Sequence, residues 1–197
     1  MSLKIFISVI LGIGAGYFFL PPTFFASTDI IIDIGLCLLL FFVGIDIGKH
    51  KDVFIKIKNI GFKILLVPLA VIIGSISGSI VAGIILRMPL NEAGAVGAGL
   101  GWYTLSSMLL ANYSTELSAL AFIANVVREI IALITIPMVA KYIGSLESIA
   151  SCGATAMDTS LPVISEATDS QTTIIAFITG VICTMSVPLL LPMILKL

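Results

Sequence analysis

LAFIANVVREIIALITIPMVA, Leu120–Ala140, and IIIDIGLCLLLFFVGIDIG, Ile30–Gly48, are each long enough to cross a bilayer, yet both carry acid: Glu129 in the first, Asp33 and Asp46 in the second. A crossing needs roughly 20 predominantly apolar residues. A charge at its centre costs roughly 2.5–3.5 kcal/mol on insertion scales, so intramembrane acids face a polar cavity, pair, or carry an ion or proton. The two stretches predict a membrane protein with a polar path inside it.

Composition agrees. The chain is 59% hydrophobic and 11% charged, where a soluble domain is about 25% charged. Its 197 residues, at roughly 20 per crossing, predict an all-α, polytopic integral membrane helical bundle of about five or six spans. They form one membrane transporter domain over 1–197. The first apolar segment, from Ile5 to Leu20, reads as a retained span rather than a cleaved signal, since Lys4 alone precedes it and no small-residue cleavage site follows. Net charge is −1, which points to no class of partner, nucleic acid included. Five of the ten Lys and Arg residues (Lys49, Lys51, Lys56, Lys58 and Lys63) lie between 49 and 63. The positive-inside rule puts the 49–59 loop in the cytoplasm and the base-free turn at 21–28 outside. Three cysteines without metal spacing and a single histidine, His50, exclude a His-rich metal site and leave little for Ser-His chemistry. No metal, cofactor or enzymatic activity is expected, and no Gly-Lys-Ser/Thr marks a nucleotide loop.

Proline and glycine punctuate the spans. The first covers roughly 4–20 and ends at Pro21-Pro22; the second covers 29–48; the third covers 60–86 and is closed by Arg87 and Met88-Pro89. Gly74 and Gly78 in the third form a G-x-x-x-G that predicts close helix packing. The stretch EAGAVGAGLGWYTLSSMLLANY, 92–113, is Gly-rich and then polar. Its glycines suit tight packing, but the run Trp102, Tyr103, Thr104, Ser106 and Ser107 favours a broken helix lining a cavity. Further spans cover 117–141 and 171–195. Between them, 145–170 is too polar for a lipid-facing helix and too apolar for a simple loop. It predicts a discontinuous or re-entrant segment, because bent backbone at membrane depth survives only where it is buried or lines a cavity.

The candidate path residues follow. Asn125 and Glu129 are four apart and share a helix face, with Arg128 at its edge. Arg128 either forms a structural pair with Glu129 or serves the path, pairing with Glu129, Asp158 or a substrate carboxylate. A carboxyl in apolar surroundings is a candidate proton carrier. Asp46 lies about one turn from the cytoplasmic end of its span, between Gly44 and Gly48. About 20 Å of helix separates it from Asp33, so the two cannot share a small ligand. Asp158, Thr159, Ser160 and Pro162 form a helix start, where Asp158 is a natural N-cap. Trp102, Tyr103, Thr104, Ser106, Thr159 and Ser160 complete the candidates.

These segments carry a resemblance. GLGWYTLSS (Gly99–Ser107), the Asn-x-x-Arg-Glu of NVVREIIALITIPMV (Asn125–Val139) and CGATAMDTSLPVI (Cys152–Ile164) resemble signatures of the LysO lysine-exporter family, and FFVGIDIG (Phe41–Gly48) fits the same pattern. The resemblance covers nearly the whole chain, with motif order and spacing kept. It implies efflux of L-lysine and analogues such as thialysine across the cytoplasmic (inner) membrane, with intramembrane acids essential for transport. The motif match carries that role to Glu129 and, less specifically, makes Asp46 a candidate. Longer members carry a further N-terminal membrane region with its own acid, whereas this chain looks like their C-terminal part. That implies a separate small membrane subunit, a homo-oligomer, or lost activity. The expected mechanism is alternating access, with proton entry at Glu129 or Asp46 driving lysine outward. The competing readings are a cation/proton antiporter, another amino-acid carrier, and a non-transporting subunit of a membrane complex.

Overall fold

The computed structural model describes residues 61–197, together with Leu11, Gly14, Ala15, Ile34, Leu38, Phe41 and Ile45. The side chains of Phe62 and Lys63 are outside that set. So are the 21–28 turn, the 49–59 loop, Asp33 and Asp46, as is most of the two spans expected at 4–20 and 29–48.

The chain divides into two compact units, Met1–Lys49 and His50–Leu197. In the first, every described residue is helical. Ile34, Leu38, Phe41 and Ile45 recur at the spacing of one helix face, and all four are exposed. Exposed apolar residues at this spacing are what lipid contact produces.

The second unit is helical throughout, with no strand among the described residues. A 3₁₀ turn, Gly61–Leu65, leads into α1 (Leu66–Leu86). Its 21 residues at 1.5 Å each span about 32 Å, enough to cross the hydrocarbon core. Pro68 sits in the first turn, where its missing N–H is an orphan anyway. At the other end Met88 N–H bonds to Gly83 O at 2.9 Å and Pro89 forbids continuation. The chain reverses into α2 (Leu90–Gly97), which lies antiparallel on α1: Ser79 Oγ donates to Ala93 O at 2.5 Å and Ser75 Oγ to Gly97 O at 2.9 Å. After a break at 98–102 comes α3 (Tyr103–Ala111), then α4 (Thr115–Tyr142), which Ser114 caps by accepting from Leu117 N–H at 3.2 Å. These two also pair antiparallel, with Ser118 Oγ donating to Ser107 O at 2.7 Å and the Tyr103 and Phe122 rings edge to face at 5.4 Å.

The expected discontinuous stretch resolves into two 3₁₀ turns, Glu147–Ile149 and Gly153–Met157, and the short α5 (Leu161–Ala167). Asp169 then caps α6 (Ser170–Leu195), accepting from Thr172 N–H at 2.9 Å. Only α1, α4 and α6 are long and apolar enough to cross a membrane among the described residues. All three expose large apolar side chains outward, such as Ile73, Ile85, Ile131, Met138, Met185 and Leu189. Small residues mark the inner faces: Gly83 of α1, Ala121 and Ala132 of α4, and Ala176 and Gly180 of α6 are buried, as are Ala93 and Ala95 of α2. Bilayer lipid supplies no hydrophobic drive between helices, so close approach of small residues holds the bundle.

The glycine-rich stretch uses both of its anticipated devices. A Cβ at Gly94 would strike Ile194, and one at Gly97 would lie 2.5 Å from Ser79 Cβ, so these two glycines allow close packing. Beyond them the helix breaks. The G-x-x-x-G of α1 makes no close packing among the described residues. A Cβ at Gly74 or Gly78 would meet no described residue within 4 Å, and both line an open groove. The tight contact on α1 is at Gly83, where an added Cβ would collide with Ala93 Cβ.

The two unwound stretches cross. Ala154 N–H donates to Leu100 O at 2.8 Å. Gly101 and Gly153 flank this bond with φ of +99° and +63°, and a Cβ on Gly153 would overlap Leu100 O. Gly153→Ala is therefore expected to destabilise the protein by about 1–3 kcal/mol from backbone strain alone, and by more from the overlap. Gly74→Ala should be neutral. Thermal unfolding of both variants in detergent checks the contrast; equal midpoints would refute the crossing geometry.

Candidate functional site

A cavity of about 250 Å³ lies at the crossing. Gly101, Trp102, Tyr103 and Thr104 bring the start of α3 to it; Glu129 comes from α4, and Ala154, Thr155, Met157, Asp158 and Thr159 come from the second break. Thr184 of α6 closes it. At this size, below the roughly 300–1,000 Å³ of drug-sized sites, it suits one small metabolite.

Each side chain is placed by local backbone. Trp102 N–H bonds to Gly99 O at 2.7 Å, and Gly101 sends its own N–H to Asn125 Oδ1 at 2.8 Å. That turn starts α3 at Tyr103 with no side-chain cap. Unpaired first-turn N–H groups give a helix start partial positive charge, and here that end meets the cavity. In the second break, Asp158 ends the 3₁₀ turn, and its Oδ1 accepts from Thr159 N–H at 2.6 Å. It makes no cap for α5, so the expected N-cap role gives way to a bond with its own neighbour. Thr159 Oγ1 donates to Glu129 Oε1 and also lies 3.3 Å from Asp158 Oδ1. One hydroxyl thus stands between two half-buried carboxylates from different elements.

The expected site residues separate into two groups. Trp102, Tyr103, Thr104, Glu129, Asp158 and Thr159 line the cavity. Asn125, Arg128, Ser106 and Ser160 do not. Asn125 is 3% exposed and serves the break: its amide donates to Ala121 O at 2.8 Å while its oxygen receives Gly101 N–H. Ser106 is buried and donates to Tyr103 O at 3.1 Å. Ser160 is buried 2.9 Å from Thr155 Oγ1.

Arg128 pairs with neither Glu129 nor Asp158, and no carboxylate partners it among the described residues. Its Nε donates to Ser151 O at 3.0 Å and its Nη1 to Ser75 Oγ at 3.0 Å. The expected Arg–Glu pair fails because consecutive helical residues point about 100° apart, and Arg128 turns toward α1. Asp46 is outside the described residues.

Sequence reasoning missed Thr155, Met157 and Thr184. The only signal for Thr184 is Gly180 one turn before it. A Cβ at Gly180 would run into Met157 N, so that glycine lets α6 approach the broken segment. Thr184 Oγ1 then lies 3.7 Å from Met157 Sδ. Among the described residues no group of three His, Cys, Asp or Glu could hold a metal ion.

Comparison with known proteins adds a family. A family model described as "Lysine exporter LysO" matches residues 6–195. The lysine exporter LysO of Escherichia coli (strain K12) is 32% identical over 157 residues, covering 79% of this chain and 52% of that protein. A putative lysine exporter of Haemophilus influenzae is 32% identical over 157 residues, covering 79% of this chain and 80% of its own. This chain thus spans about half the length of the E. coli relative. No solved structure matches it.

Thr159→Val keeps the shape but removes the only hydroxyl shared by Glu129 and Asp158. Losing a donor to a half-buried carboxylate is expected to cost about 1–2 kcal/mol, and Thr159→Ser should restore it. Unfolding midpoints of the two variants test this; a valine variant as stable as the serine one would mean the hydroxyl does not hold the carboxylates.

Proposed function

The chain belongs to the LysO lysine-exporter family, and from that premise we propose that it exports L-lysine, and analogues such as thialysine, across the cytoplasmic membrane. The observation that carries the reading is the charge layout of the cavity. Lysine at neutral pH has two ammonium groups and one carboxylate. Glu129 and Asp158 supply two carboxylates, and the uncapped start of α3 brings partial positive charge to the same cavity. Discontinuous helices that present such ends to a midplane site are a recurrent transporter device.

In this reading an incoming ammonium displaces Thr159 Oγ1 from Glu129 while Asp158 keeps its bond from Thr159 N–H. A proton taken up by Glu129 from outside then releases the ammonium, so proton entry drives lysine outward by alternating access. Asp46 remains a second candidate acid on the path. The 49–59 loop faces the cytoplasm. A cation/proton antiporter is the alternative that the same two carboxylates support.

The test is radiolabelled lysine efflux from cells lacking their own lysine exporters. The chain is expressed alone and with any small membrane protein encoded beside it. Efflux should respond to an imposed pH gradient. Glu129→Gln should lower it about 10- to 100-fold, the effect of losing one charge-assisted contact. Lysine movement that ignores the pH gradient would remove the proton coupling. Cation-dependent proton movement without lysine counterflow would favour the antiporter.

A further inference from the structure

Arg128 is a cation well inside a membrane span, yet it lies outside the cavity and no carboxylate partners it among the described residues. What compensates it is backbone. Its Nε holds Ser151 O at 3.0 Å, the carbonyl just before the second break. Its Nη1 holds Ser75 Oγ at 3.0 Å, and Ser75 Oγ donates onward to Gly97 O at 2.9 Å. Gly97 is the last residue of α2, just before the first break. The guanidinium therefore reaches a carbonyl beside each break, once directly between the two 3₁₀ turns and once through a hydroxyl at the last residue of α2. Backbone carbonyls at such places need donors from within the protein, since lipid supplies none; Gly97 O also accepts from Leu100 N–H at 3.2 Å. A Cβ at Gly153 would come within 2.8 Å of Arg128 Nη2, so the guanidinium also packs directly against the crossing.

The next residue on α4 grips the same broken segment further along. Arg128 holds its beginning at Ser151, and Glu129 receives Thr159 Oγ1 near its end. Residues 152–158 are suspended between the two grips, and most of that stretch is cavity wall. The two attachments differ in kind. The Glu129 contact is a single hydroxyl that a ligand ammonium can replace. The Arg128 contact lies on the far side of the crossing, out of reach of anything in the cavity.

We propose that Arg128 is a positioning residue: with Ser75 it ties the last carbonyl of α2 to the start of the second break and forms the fixed pivot that sets Asp158 and Thr159 against Glu129. The proposal rests on the lysine-export reading for its consequence in transport, and on geometry alone for the pivot. It departs from direct recognition of a substrate carboxylate by Arg128, which would make Ser75 irrelevant.

Cys152 reports on the pivot. It adjoins Ser151, is 1% exposed and is a free thiol, as is the fully buried Cys183 of α6. Purified wild-type protein, Arg128→Met, Arg128→Lys, Ser75→Ala and Glu129→Gln are treated with N-ethylmaleimide, and the labelled cysteine is identified by peptide mass spectrometry. Labelling of Cys152 is expected to rise about tenfold in Arg128→Met, the effect of one lost charged hydrogen bond. It should rise less in Ser75→Ala and Arg128→Lys, and stay at the wild-type level in Glu129→Gln, with Cys183 protected throughout. In the efflux assay Arg128→Met should lose the most rate of the three pivot variants and Ser75→Ala and Arg128→Lys less, while Glu129→Gln loses rate with Cys152 still protected, and the pH of half-maximal efflux should move in Arg128→Met and Ser75→Ala. A fall in folded protein alone would leave that pH unchanged. Cys152 staying protected in both Arg128→Met and Ser75→Ala overturns the pivot, as does simultaneous labelling of Cys152 and Cys183, which reports collapse of the whole unit. A wild-type chain that moves no lysine would sink the export reading, and the labelling result, which needs no substrate, would still decide the pivot.

Discussion

The bond from Ala154 N–H to Leu100 O joins two stretches of backbone that could not otherwise exist at membrane depth. In hydrocarbon every peptide group must find a partner inside the protein, and a helix that stops halfway leaves its ends unsatisfied. Here two helices stop at the same place and answer each other. Leu100 turns its carbonyl out with φ of +48°, and Gly101 and Gly153 take left-handed backbone beside it. Asn125, Ser75 and Arg128 supply what the crossing itself cannot. The cavity follows from this arrangement: where neither chain is helical, no side chains fill the space between them, and the two loose ends become its walls.

Function and support are divided between neighbours on α4. Glu129 looks into the cavity, and Arg128, about 100° round the helix, looks into a groove of about 610 Å³ floored by Gly74, Ser75, Gly78 and Ser79. Had the two formed a pair, each would have neutralised the other and neither break would have been held. Separation leaves a cation for the carbonyl ends and a carboxylate for the cavity. The small residues of α1 contribute to the same division, since Ser75 can reach both Gly97 and Arg128 only where no bulk intervenes.

Much of this was legible in the sequence because bilayer physics is blunt. Apolar length gives α1, α4 and α6; Pro89 and Ser114 give their limits; the glycines of 94–101 and the polarity of 145–170 give the breaks. Of the six anticipated site residues that reach the cavity, five sit in or beside those breaks, where local composition and position coincide, and Glu129 reaches it from the middle of α4. The misplacements share one cause. Asn125, Arg128, Ser106 and Ser160 are polar groups in apolar surroundings, which periodicity assigns to a polar face. Asn125 and Arg128 meet backbone groups of the breaks, Gly101 N–H and Ser151 O, and no helical repeat encodes where another segment's carbonyl will stop. Ser106 and Ser160 turn back on their own segments, to Tyr103 O and Thr155 Oγ1. Thr184 was hidden for the opposite reason, because one of four threonines on an apolar helix is unremarked until Gly180 brings that helix to Met157.

The two cavity acids are held by different kinds of bond, and on the proposed export reading that difference sets their roles. A threonine hydroxyl has one hydrogen to donate. Thr159 Oγ1 gives it to Glu129 and leaves Asp158 at 3.3 Å, where Thr159 N–H at 2.6 Å serves instead. The amide is part of the chain and cannot turn away; the hydroxyl can rotate. Asp158 therefore keeps its donor whatever occupies the cavity, while Glu129 keeps its own only until a better one arrives. An ammonium group, with three hydrogens and a full charge, is such a donor. When it binds Glu129, the freed hydroxyl can swing to Asp158 or accept from the ammonium, so no polar group is stranded in either state. A site in which one acid is fixed and the other is exchangeable can load and unload without opening the crossing that supports it.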